Sequence, residues 1–348
     1  MSDFTKKLME WSPSPDWNKI TTIDAHTAGE PLRIITSGLP EIKGSTILEM
    51  RKYFQNNHDD IRKMLMLEPR GHTDMYGCII TLPKTKDADF GVIFMHNEGY
   101  STMCGHGIIA VTNVAIESGL VKKVEPITTI KIDSPAGLIS ATAYLKNRIV
   151  DKVSFINVPS YIVSLDTEIE IKGIGKIKYD LAFGGAYYAY VQAKDVGLSC
   201  YPKDLDKLIQ LGSDIKKAVS NSIEIKHPIN DDLSFLYGII FIDEPGDSNS
   251  HSRNVCIFAD GEVDRSPTGT GLSGRLAIHY ARNEICINES ITIDSIIGTK
   301  FTGEVISEAK FGPNNAIISQ VTGTTHITGK HEFFVDPNDN ITKGVILR

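Results

Sequence analysis

A chain of 348 residues, 41% hydrophobic and 23% charged, has enough apolar material for one large or two medium domains with sizeable cores. A formal net charge of -7 without any dense Lys/Arg run excludes the basic face that a nucleic acid or an anionic membrane would need, so a small molecule is the expected partner. No apolar run nears the roughly 20 residues of a membrane span, Met1 to Ile20 lacks a signal-peptide core, and five scattered cysteines with no C-x-x-C pair predict neither a zinc site nor disulfides, hence a cytoplasmic protein.

From Thr22 onward, short β-rich runs alternate with turn signals at 32–36, 78–82, 91–95, 129–133 and 139–144. Most gaps between them are too short for a crossover helix, which predicts a mixed or antiparallel sheet. Two helices interrupt this pattern: an amphipathic stretch over 45–66 and a second over about 105–118 that stops at Gly119. The second half repeats the plan with strands at 152–158, 187–193, 234–242 and 254–258, then a helix over about 269–283. Residues 205–221, preceded by Tyr201-Pro202, read as a charged and solvated surface helix with no part in chemistry.

The duplication is clearest in the glycines. Met103-Cys104-Gly105-His106-Gly107-Ile108-Ile109-Ala110 aligns with Pro267-Thr268-Gly269-Thr270-Gly271-Leu272-Ser273-Gly274, an offset of 164 positions from 104 to 268. Two homologous halves follow: 20–155 carrying Cys104, with 336–348 as a candidate to complete it, and 156–335 carrying Thr268. Both repeats satisfy the G-x-G-x-x-G/A pattern of dinucleotide sites. The polar turn Asp264-Arg265-Ser266-Pro267 argues against that reading, because it separates Thr268 from the preceding strand, and two copies exceed what a dinucleotide needs. Two glycine-rich helix starts facing each other would instead clamp a carboxylate with free N–H groups at the positive ends of two dipoles.

Cys104 falls at the N-cap of its helix, where the dipole lowers a thiol pKa from about 8.5 and favours thiolate. The competing reading is a buried structural cysteine. The flanking Gly105 and Gly107, which let a ligand approach the backbone, favour a functional one. Thr268 holds the matching place, as a helix cap or a hydrogen-bonding group; an aliphatic hydroxyl with no His partner nearby in sequence cannot act as a base.

Asp24-Ala25-His26-Thr27-Ala28-Gly29-Glu30-Pro31, Glu68-Pro69-Arg70-Gly71-His72, Met103 to Gly107 and Asp264 to Gly271 together resemble the signature blocks of the proline racemase family, in order and over nearly the whole chain from Ile23. The resemblance implies the α/β (α+β) fold of diaminopimelate epimerase: two pseudo-symmetric halves, each a curled mixed sheet around a central helix, with the site in the cleft between them. It further implies no cofactor and no metal, a homodimer, and a cysteine on both helix starts. This chain departs from that last feature at Thr268, which resembles the family's trans-3-hydroxy-L-proline dehydratases. Carried over by position, Cys104 and Thr268 are the expected catalytic pair. Gly105, His106, Gly269 and Thr270 are expected to contact the substrate carboxylate or ring nitrogen, and Asp264 to pair with the ring ammonium. Competing readings make Asp264 a turn former and His106 a surface residue. His26, Arg70, His72 and His96 have no metal-ligand spacing and are expected to support the structure.

Overall fold

The computed structural model describes residues 3–347. Helix α1 (Asp3–Met9) precedes β1 (Asn18–Thr27), which turns at Ala28-Gly29 into the antiparallel β2 (Glu30–Ser37). Gly29 sits at φ +95°, a conformation that side-chain-bearing residues rarely adopt. Helix α2 (Ile47–Met66) follows, capped by the Thr46 hydroxyl, which accepts the Glu49 N–H. It leads into β3 (Tyr76–Thr81), parallel to β2, and β4 (Phe90–His96) returns antiparallel. After α3 (Gly105–Glu117), β5 (Ile127–Ser134), β6 (Gly137–Lys146) and β7 (Ile149–Ile156) complete the run, with β5 parallel to β4.

The second half opens with a hairpin, β8 (Ser160–Ile171) and β9 (Gly175–Phe183), followed by β10 (Tyr187–Gln192) and α4 (Leu205–Ser222). Strand β11 (Leu236–Asp243) lies parallel to β10, and β12 (Ser252–Phe258) lies antiparallel to β11. The short β13 (Glu262–Asp264) then delivers the chain to α5 (Gly269–Ala281). Strands β14 (Ser290–Asp294), β15 (Lys300–Phe311) and β16 (Asn314–Gly323) close the half, because β16 pairs with β8 as well as with β15. The last strand, β17 (Thr325–Val335), crosses back and pairs antiparallel with β1 along its whole length. Residues 320–323 of β16 also pair with 153–156 of β7, so the halves share one hydrogen-bonded seam.

The expected architecture, a curled mixed sheet around a central helix in each half, is what forms. The reason lies in the helices. Every residue from Gly105 to Ile116 in α3 and from Gly269 to Ile278 in α5 is buried. A helix with no solvent-facing side must be wrapped by strands. Side chains of both helices join one core, with Ile109 and Leu272 fully buried in it, each such burial being worth about 1.5–3 kcal/mol. Helices α2 and α4 lie outside the sheets. The expectation of a solvated α4 needs correction: Leu208, Leu211, Ile215 and Val219 form a buried stripe against a second core. Helix α1 and strands β1, β8, β9 and β13 to β17 add to those expected. Among the described residues no helix is long and apolar enough to cross a membrane.

Candidate active site

The amino ends of α3 and α5 meet at the centre of the molecule. A methyl group on Gly105 would lie 2.8 Å from the Gly269 Cα, and one on Gly269 would lie 3.0 Å from the Gly105 Cα. Both glycines are therefore required for backbone to approach backbone, whereas Gly105 was expected to serve ligand access. At Gly107 a methyl would reach 2.5 Å from the Phe94 ring and 2.9 Å from the Cys104 sulfur, so that glycine leaves room for the thiol.

Cys104 is the N-cap of α3 in extended conformation, and its Sγ accepts the Gly107 N–H at 3.2 Å. The His106 Nδ1 lies 3.2 Å from the same sulfur. Burial pushes the His106 imidazole down to about 3, so it is neutral, and it donates to the Pro31 carbonyl. A neutral imidazole has one acceptor nitrogen, and the ring lies within reach of the Cys104 S–H. The expected lowering of the thiol pKa does not occur. Burial pushes Cys104 well above the ordinary thiol value, and the Asp264 and Glu30 carboxyls add to that push. The Gly107 N–H opposes it, but desolvation outweighs one N–H and the helix dipole in this closed cavity.

Thr268 faces it from α5 at φ +67°, an uncommon conformation for a β-branched residue. Its side chain makes no capping hydrogen bond, which corrects the helix-cap reading. Instead Oγ1 donates to Asp264 Oδ2 at 2.8 Å, while the Thr268 N–H donates to Ser266 Oγ at 3.2 Å. Asp264 Oδ1 accepts the Ser266 N–H at 2.7 Å, so this carboxyl both shapes the turn and faces the cavity. Burial raises its pKa, against the pull of those hydrogen bonds. The Thr270 hydroxyl lies 2.7 Å from the Tyr188 hydroxyl.

All seven residues singled out in the sequence line one enclosed cavity. Its free space is about 20 Å³, room for about one water and less than a proline-sized ligand needs. His106 is buried within it rather than at the surface. The cavity also contains Glu30, Tyr76, Tyr188, Tyr237, Cys256 and Phe258, which the sequence reading did not assign. Glu30 lay inside a quoted block, whereas the others sit in apolar runs that look like ordinary core. The Tyr237 and Phe258 rings stack at 5.4 Å, and the Tyr76 hydroxyl donates to Ser101 Oγ at 2.5 Å, giving the cavity an aromatic wall.

The remaining candidates lie elsewhere. His96 stacks on Tyr76 and bridges the halves through Glu262 Oε1 at 3.1 Å; Arg70 pairs with Asp339 at 3.0 Å; His26 packs on His326; His72 is at the surface beside the Thr73 carbonyl. A wider groove of about 830 Å³ beside α5 and β8, lined by Tyr280, Glu308 and Lys310, contains none of the clustered groups.

Comparison with known proteins agrees over most of the chain. The sequence profile of the family described as proline racemase matches residues 22–346. A trans-3-hydroxy-L-proline dehydratase of Colwellia psychrerythraea is 49% identical over 98% of this chain and 97% of its own. A proline racemase of Acetoanaerobium sticklandii is 42% identical over 93% and 97%. A crystal structure of a hydroxyproline epimerase from Agrobacterium vitis with bound trans-4-hydroxy-L-proline superposes at a TM-score of 0.89, with 30% identity, over 95% of this chain and 96% of that one.

Proposed function

The chain belongs to the proline racemase family, and from that premise we propose that it dehydrates trans-3-hydroxy-L-proline to Δ1-pyrroline-2-carboxylate, with Cys104 as the single acid–base group. The observation that carries this reading is the unlike pair, a thiol on α3 and a hydroxyl on α5 committed to Asp264. Relatives named for the same dehydration support the choice of substrate.

In this reading the free N–H groups at the two helix starts, from Gly105, His106, Gly269 and Thr270, hold the carboxylate and stabilise the charge that moves into it as the α-proton leaves. Asp264 pairs with the ring ammonium. The Cys104 thiolate takes the α-proton, and the electron pair left on Cα expels the C3 oxygen. The thiol returns that proton to the departing oxygen, so water leaves and the thiolate is restored. The enamine formed then tautomerises to the cyclic imine. In trans-3-hydroxy-L-proline the α-hydrogen and the hydroxyl share one ring face, so one group reaches both.

Racemisation demands a proton donor on the opposite face, and Thr268 is a poor donor to carbon. We read the protein as a cytoplasmic homodimer on the family pattern, and five free cysteines fit a reducing compartment. Incubation with trans-3-hydroxy-L-proline should give an imine that o-aminobenzaldehyde traps, and Cys104→Ser should reduce the signal to under a few per cent. Optical inversion without imine would instead identify an epimerase, and binding without either reaction a silent amino-acid-binding protein.

A further inference from the structure

Glu30 is a cavity carboxyl that the reaction above leaves unused. It stands at the first position of β2 and is fully buried. One oxygen, Oε2, accepts the Arg265 backbone N–H at 2.7 Å and lies 3.6 Å from the Arg265 guanidinium. The other, Oε1, is buried with no hydrogen-bond partner among the described residues. It shares the cavity with Cys104 and Asp264. A buried acceptor without a donor costs about 1–3 kcal/mol, so an orphaned oxygen at a ligand cavity marks a place for a donor.

Two carboxyls in one dry cavity do not both ionise readily. Burial pushes Glu30 well above the usual carboxylate range, Asp264 and Asp74 add to this, and Arg265 opposes it. Arg265 is itself shared, lying 3.2 Å from Asp74 Oδ2. The other groups facing this region are the Cys104 and Cys256 thiols, the neutral His106 imidazole, and the Tyr76, Tyr188 and Tyr237 phenols, all of which burial holds uncharged. Burial and these neighbours therefore favour the protonated form of Glu30.

The ring nitrogen of a proline-type substrate is a secondary ammonium, with two N–H bonds and one positive charge. Asp264 accounts for one acceptor. We propose that Glu30 is the second, so that the ring ammonium is held between the Asp264 and Glu30 carboxylates. The balance of the step is simple: the ammonium enters with both its protons, Glu30 gives up its own to solvent, and an N–H···Oε1 bond replaces the orphaned acceptor. The inference depends on the imino-acid reading of the site but not on water loss.

The test is calorimetric titration in buffers of different ionisation enthalpy, with L-proline and with pyrrole-2-carboxylate, which has one N–H and no ring charge. Near neutral pH the wild-type protein should release about one proton per L-proline bound and none with pyrrole-2-carboxylate. Glu30→Gln should abolish the release and weaken L-proline by about tenfold or more. Pyrrole-2-carboxylate should bind both proteins within about threefold. Proton-neutral binding of L-proline to the wild type, failure of L-proline to bind, or an unchanged Glu30→Gln would overturn the proposal. If Glu30→Gln does not fold, the wild-type proton count and its pH course decide: L-proline affinity must rise with pH until Glu30 is ionised, and a flat course contradicts it. Imine trapping with the wild type reports separately on dehydration, so either reading can fail while the other stands.

Discussion

Cys104 and Thr268 occupy matching helix starts, yet their side chains are committed differently: the sulfur faces a neutral imidazole, and the hydroxyl is tied to Asp264. The raised thiol pKa has a readable sign. If the thiolate is the base, as proposed, it forms only as pH rises through a value above the ordinary thiol figure of about 8.5. The pH profile of kcat/KM, which reports the free enzyme, should therefore keep climbing beyond about pH 8.5; a plateau already reached at neutral pH would show that the thiol is not held up. Thr268→Cys places a second thiol on the opposite face. It should confer conversion of L-proline to D-proline with deuterium exchanged at Cα in deuterated water, followed by chiral chromatography and mass spectrometry, whereas the wild type should not invert L-proline. No inversion in that variant would count against facing helix starts. At this scale the sequence was a good guide to which residues gather and a poor one to their state, because the thiol's environment depends on burial by residues distant in the chain, Tyr76 and Glu30 among them.

At the scale of elements, the approach of α3 to α5 sets the site. The tightest contact a methyl group would make at either position, 2.8 Å at Gly105 and 3.0 Å at Gly269, is with backbone, which cannot yield as the end of a flexible side chain would. Gly105→Ala should part the helix starts and lower dehydratase kcat/KM by about a hundredfold or more, for a stability loss of only about 1–3 kcal/mol. Activity and urea unfolding measured on one preparation separate the two effects, and wild-type activity in this variant would refute the close packing. The central helices were legible because they are apolar on all sides and begin with paired glycines. Strands β8 and β9 were not, since their outward positions carry charges such as Glu168, Glu170, Lys176 and Lys178 that mask a half-buried hairpin. The buried stripe of α4 was hidden in the same way by the lysines and aspartates of its outer face.

The strands of the second half close on themselves through β16, those of the first run in order from β17 and β1 to β7, and the two halves share a seam at β7 and β16. The sequence offered 336–348 for a return to the first half, but the strand that makes it, β17, lies earlier and was not legible. It depends on a pairing between residues 18–27 and 325–335, and nothing local in either segment announces a partner some 300 positions away. On the proposed reading the division into halves gives the cavity its selectivity, because a ring held between the helix starts would present one face to Cys104 and the other to Thr268. Only a substrate whose α-hydrogen and hydroxyl share the Cys104 face can lose both there. The most direct measurement is the rate of imine formation from trans-3- and cis-3-hydroxy-L-proline, each incubated with the wild-type protein and trapped with o-aminobenzaldehyde. One-face chemistry by Cys104 predicts rapid imine from the trans compound and at most a few per cent of that rate from the cis compound; equal rates would contradict it.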